Sequence, residues 1–119
     1  MTAIIKFEAK VTPEQMSDLM VTALEGGINY WCGKVKKLDE PLDDDEYLSD
    51  VIGRGGRLKL YDAESDDTWI LDQEMFLKGL KMYMIKNGYL SVEDLIDGHD
   101  AETADCIIQY AIFDEITFG

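Results

Sequence analysis

The chain has 119 residues, of which 25 are Asp or Glu and 11 are Lys or Arg, for a formal charge of −14. A surface this acidic repels nucleic-acid phosphates and anionic lipid, so direct binding to DNA, RNA or a membrane surface is not expected. With 46% hydrophobic residues and no apolar run approaching the roughly 20 residues of a membrane span, the composition fits one globular domain over residues 1–119. Met1 to Lys6 is too short and too mixed for a signal peptide, so the expected location is the cytosol. Cys32 and Cys106 form no Cys-x-x-Cys pair and read as reduced structural thiols.

Residues 3–10 alternate loosely, with Ile5, Phe7 and Ala9 on one face and Lys6, Glu8 and Lys10 on the other, which predicts a strand. Thr12-Pro13-x-Gln15 predicts a capping box, and Met16, Leu19, Met20, Ala23 and Leu24 form the apolar stripe of a helix that Gly26 and Gly27 should end. A second strand is expected over 28–38, then a turn at Glu40-Pro41. A short helix over 44–52 follows, capped by Asp43 or Asp44, with Tyr47, Leu48, Val51 and Ile52 inward. Gly53 should stop that helix and Gly55-Gly56 make a turn. Residues 57–62 and 67–72 read as a hairpin.

Asp72 should cap the longest helix, which runs to Asn87 with Phe76, Leu80, Tyr83 and Met84 inward and Gly88 beyond its end. Ser91 opens a short helix, and Asp100 a last one with Ala104, Ile107, Ile108 and Ala111 inside. Ile116-Thr117-Phe118 is expected as an edge strand. Without regular βαβ alternation, the pattern indicates α+β: a mainly antiparallel sheet of about four strands packed with three to five helices.

The inventory of chemistry-bearing residues is thin. His99 is the one histidine, with no cysteine close in sequence, which argues against zinc and against a Ser-His-Asp arrangement. Asp62 to Asp66 carries oxygen ligands at alternating positions, but Asp67 stands where an EF-hand turn needs glycine and Gln73 where it needs glutamate. No catalytic residue, metal or cofactor is expected. Gly53-Arg54-Gly55-Gly56-Arg57 lacks the Gly-Lys-Ser/Thr of a P-loop and reads first as a helix stop and turn, with phosphate contact as the alternative. Tyr30 and Trp31 read first as core aromatics, and otherwise as a stacking platform.

Charge placement is uneven. No basic residue follows Lys86. Part of the acid is explained by helix capping. The excess falls on Asp39, Glu40, Asp43, Asp44, Asp45 and Glu46, then on Asp62, Glu64, Asp66 and Asp67, and last on Asp97, Asp100, Glu102 and Asp105. These are the candidate partner-binding residues.

The run Ala23-Leu24-Glu25-Gly26-Gly27-Ile28-Asn29-Tyr30-Trp31, with Arg54-Gly55-Gly56 and Asp100-Ala101-Glu102-Thr103-Ala104-Asp105-Cys106-Ile107-Ile108-Gln109-Tyr110, resembles a family of small acidic bacteriophage and prophage proteins without a settled activity. The family carries glycine where this chain has Asp114, which implies a different turn there. The resemblance implies a phage setting and transfers no catalytic residue. Small acidic phage proteins often act against host defence, some by imitating the charge of DNA.

The leading expectation is thus a non-catalytic counter-defence inhibitor, of the anti-CRISPR or anti-restriction kind. It would offer carboxylates to the groove of a basic, nucleic-acid-binding host nuclease. One alternative is a small-ligand or nucleotide-signal binder using Tyr30, Trp31, Arg54 and Arg57. Another is a structural or regulatory phage protein.

Overall fold

The first helix, α1 (Pro13–Thr22), begins as the sequence predicts. The Thr12 hydroxyl accepts from the Gln15 N–H at 3.1 Å, and the Gln15 side chain accepts from the Thr12 N–H at 2.9 Å. The computed structural model describes residues 2–6, 8–39 and 45–119. The described residues of 2–12 form no strand, and Ile4 and Ile5 are 78% and 81% exposed. Alternation alone does not make a strand: backbone groups need a neighbouring ladder, and none lies alongside.

The helical run stops at Gly27 as expected, but not through a left-handed cap. The chain widens into a π-helical turn over Ala23–Gly27, and neither glycine takes a left-handed conformation. Gly27 serves close approach instead. A Cβ there would lie 2.9 Å from the Ala101 carbonyl oxygen and 3.3 Å from the Asp105 nitrogen.

The sheet has three antiparallel strands in the order β1 (Cys32–Lys37), β2 (Leu58–Asp62) and β3 (Thr68–Leu71), fewer than the four expected. Tyr30 and Trp31 lie in the turn ahead of β1, outside the strand. The register pairs Cys32 with Asp62 and Lys37 with Leu58, interrupted by a bulge at Gly33. Leu58, Leu60 and Leu71 are buried on the inner face.

Between β1 and β2 lies α2 (Leu48–Val51), a single turn that Tyr47 begins without a side-chain cap. Tyr47, expected inward, is 76% exposed, whereas Val51 and Ile52 are buried. The Glu40-Pro41 turn and the Asp43 and Asp44 caps fall outside the described residues.

The remaining helices are α3 (Gln73–Asn87), α4 (Val92–Asp97) and α5 (Ala101–Phe113). Asp72, Ser91 and Asp100 cap them through the N–H groups of Met75, Asp94 and Thr103. Gly88, at φ 76°, closes α3. Helices α3 and α5 pack most closely at Gly79, where any Cβ would overlap the Ile107 carbonyl oxygen and Ala111. Phe76, Ile107 and Ile108 are fully buried there; each such side chain stabilises the fold by roughly 1.5–3 kcal/mol.

After α5 the chain does not add an edge strand. Asp114 takes the left-handed conformation at φ 61°, and the following residues run back over the sheet-side aromatics without pairing to β1 or β3. No helix among the described residues is long and apolar enough to cross a membrane.

Candidate functional site

Gly27 lets the π-helical turn sit against the start of α5, which carries Tyr30 and Trp31 onto that helix. Asp105 and Gln109, one helical turn apart, face them. The Tyr30 hydroxyl donates to Asp105 Oδ2 at 2.5 Å, while Trp31 Nε1 and Gln109 Nε2 donate to Oδ1 at 2.8 and 2.9 Å. Asp105 is 7% exposed. A carboxylate that deep is tolerable because charge-assisted hydrogen bonds replace its lost water. Asp105 therefore turns inward, away from the partner-facing surface expected of it.

Gln109, fully buried, fastens the segment after α5. Its Oε1 accepts the N–H groups of Thr117 and Phe118, both at 2.8 Å, and its Nε2 donates to the Phe118 carbonyl at 3.2 Å. One side chain thus supplies the partners that a neighbouring strand would have supplied. Phe118 then stacks on Trp31, with ring centroids 5.1 Å apart and planes within 3°, and Trp69 and Phe113 meet them edge-on. The Trp31 face is covered by this contact and is not an open stacking platform.

Grooves of about 420 and 510 Å³ run on either side of residues 116–119. Asp62 and Glu64 of the β2–β3 loop line the first, Glu102 and Cys106 of α5 line the second, and Tyr30 and Phe118 border both. Two of the three acidic segments thus converge on one end of the molecule. Glu64, Asp66, Asp67, Asp97 and Glu102 are exposed, and no ion pair joins them to a described basic residue. Asp62 and Asp100 carry structural duty. Asp62 accepts the N–H groups of Glu64 and Ser65 at 2.7 and 2.9 Å, and Asp100 caps α5.

The third acidic segment lies at the other end of the β1–β2 ladder. Asp39 forms a two-pronged pair with Arg57, its oxygens 2.9–3.2 Å from the guanidinium nitrogens. Glu46 binds Arg54 at 2.5 and 2.9 Å and Lys37 at 3.3 Å. The guanidinium groups hold both carboxyls below their usual range. Asp45 is exposed; Glu40, Asp43 and Asp44 lie outside the described residues.

The four ligand candidates do not come together. Trp31 adjoins the Cys32–Asp62 end of the ladder and Arg57 the Lys37–Leu58 end, about 20 Å away at 3.3 Å per residue. The glycine-rich turn does not present a phosphate cradle either. The N–H groups of Arg54, Gly55 and Gly56 are used by carbonyls of Asp50, Ile52 and Val51.

His99 stitches helices together. Its Nδ1 faces the Ile96 carbonyl at 2.7 Å and so carries a proton, and its Nε2 meets the Thr22 hydroxyl at 2.7 Å. Burial pushes the Cys32 thiol up, and burial with Asp105, Glu102 and Asp100 pushes up Cys106, so neither thiol is poised as a thiolate. Tyr30 is pushed up to about 12, by desolvation first and then by Asp105, although the ring edge is half exposed. At neutral pH it is a hydrogen-bond donor. Among the described residues no group of three or more His, Cys, Asp or Glu side chains is placed to hold a metal ion. Sequence reasoning missed Gln109 and the inward role of Asp105. Their signal was present, because both fall within the Ala104–Ile108–Ala111 stripe of α5.

No family model matches the chain, and no curated protein or solved structure does.

Proposed function

We propose that the chain is a non-catalytic binding protein that presents one acidic end to a basic partner. A single arrangement carries this reading: exposed carboxylates from two distant segments, Glu64 on the β2–β3 loop and Glu102 on α5, line a pair of adjoining grooves, Asp66 and Asp67 follow on the same loop, and none of the four forms an ion pair with a described basic residue. Unneutralised charge at one end steers a cationic surface during encounter and fixes its orientation. Asp105 on α5 holds Tyr30 and Trp31, and the Trp31 carbonyl accepts the Ala63 N–H at 2.9 Å, which ties the β2–β3 loop to α5. The resemblance to small phage proteins adds a setting, in which the partner is the nucleic-acid groove of a host defence nuclease.

The test is a set of neutral replacements, Glu64→Gln, Asp66→Asn, Asp67→Asn and Glu102→Gln, combined in one variant. Wild-type protein is expected to retain a basic nuclease on a column and to lose affinity steeply along a salt series. The neutralised variant should bind at least tenfold more weakly, with a flatter salt dependence. Equal binding by both proteins, or wild-type binding indifferent to salt, would falsify the reading.

A further inference from the structure

Among the described residues the sheet has two edges that carry no further strand, and they differ in charge. The β1 edge carries Lys34, Lys36 and Lys37. The β3 edge is bounded by Asp66 and Asp67 on one side and Asp72 on the other, and exposes Ile70 at 44%. Among the described residues, the backbone of Thr68–Leu71 pairs with β2 alone. An unpaired edge with an exposed isoleucine is a template for another strand.

The segment ahead of α1 has the composition such an edge would accept. Ile5, Phe7 and Ala9 share one parity of the sequence, and Lys6, Glu8 and Lys10 share the other. No hydrogen bond ties the described part of residues 2–11 to a described residue, and Ile4 and Ile5 are almost fully exposed. The molecule measures 52 × 30 × 28 Å, elongated for its size. In antiparallel pairing, the apolar parity would extend the inner layer beside Trp69 and Leu71. The other parity would lie on the outer surface, where the register that sets Phe7 opposite Trp69 places Lys10 opposite Asp66 and Glu8 opposite Thr68. The β1 edge, with Lys34 and Lys36 exposed, would repel Lys6 and Lys10.

We propose that residues 3–10 of one copy add as a fourth strand to the β3 edge of a second copy. Reciprocal addition gives a two-fold dimer, because each copy offers one arm and one edge. This pairing gives partners to backbone groups of the arm that bond to no described residue and buries Ile4, Ile5 and Ile70. It also accounts for a strand pattern in the sequence that has no partner within the fold.

The full chain is examined by analytical ultracentrifugation over a concentration series, beside the variants Ile4→Lys/Ile5→Lys, Ile70→Lys and Lys6→Glu/Lys10→Glu. Wild-type protein is expected to pass from monomer to dimer, and each variant to raise the dissociation constant at least tenfold. The arm substitutions lie on exposed residues, so circular dichroism should show the fold intact. The charge-reversed arm should recover dimerisation when mixed with an Asp66→Lys/Asp67→Lys edge. Wild-type protein that stays monomeric throughout, including one whose arm is protected from hydrogen exchange by pairing within its own copy, overturns the proposal. So does a dimer that survives the Ile4→Lys/Ile5→Lys change.

Discussion

The two ends of the β1–β2 ladder are both acidic, and they spend their acid differently. At the Lys37–Leu58 end, Asp39 and Glu46 are matched by Arg57, Arg54 and Lys37, so the charge is cancelled within the chain. At the Cys32–Asp62 end, one carboxylate is buried and fully hydrogen-bonded, and Glu64, Asp66, Asp67 and Glu102 form no ion pair with a described residue. Net charge would count both ends alike. Placement separates an end that is closed upon itself from an end that remains available.

The buried carboxylate is the sharpest place to break that comparison. Asp105→Leu strands the Trp31 indole N–H and the Gln109 amide, each worth ~1–3 kcal/mol when left unsatisfied, so a loss of roughly 3 kcal/mol is expected in urea unfolding. Glu46→Gln at the opposite end should cost a small fraction of that, because the pair is partly solvated and a glutamine keeps acceptor and donor groups in place of the carboxylate. Equal losses would mean that the two ends are not energetically distinct.

Neutralising Glu64, Asp66, Asp67 and Glu102 should instead leave stability within about 0.5 kcal/mol, as expected for surface changes, while partner affinity falls about tenfold. A stability loss comparable to that of Asp105→Leu would assign those carboxylates to the fold and remove them from binding.

The ends should also respond to opposite extremes of pH. Tyr30 has its folded pKa raised from 10.0 to about 12, so its contribution is complete below pH 10 and is lost as pH rises through that window. Asp39 and Glu46 have folded pKa values lowered by their arginine hydrogen bonds, so their contribution is present above the ordinary carboxylate range and is lost as pH falls through the lowered values. Melting temperatures across pH should therefore show an alkaline decline that Tyr30→Phe flattens and an acid decline that Asp39→Asn and Glu46→Gln flatten. An alkaline decline unchanged in Tyr30→Phe would contradict the network.

The smallest effect concerns Asp114, whose φ of 61° suits glycine better than a residue with a Cβ. Asp114→Gly gives up an exposed pair with Lys78 and relieves that strain, for a net gain of about 0.5–1 kcal/mol by thermal or urea unfolding. A loss would show that the Lys78 pair outweighs the backbone preference.

Local signals were legible wherever the interaction is itself local. Thr12 with Gln15, Asp72, Ser91, Asp100 and Gly88 all act within a few residues, and the β2–β3 hairpin closes over a short loop. The misreadings share one cause, which is dependence on a distant partner. Residues 3–10 have strand alternation, but their described part has no ladder among the described residues, and residues 117 and 118 find their partner in the side chain of Gln109. Asp105 looked like one more surface acid because its three donors come from Tyr30, Trp31 and Gln109, two of them more than seventy residues away.

The sequence by itself determined the α+β class, the starts of α1, α3, α4 and α5 and the total charge, since caps, periodicity and ionisable groups depend on near neighbours or on none. The tertiary structure alone decided which carboxylates are cancelled, which is buried and which remain exposed together. That division depends on the hairpin register and on Gly27 admitting the Tyr30–Trp31 turn against α5, contacts that join residues far apart in the chain.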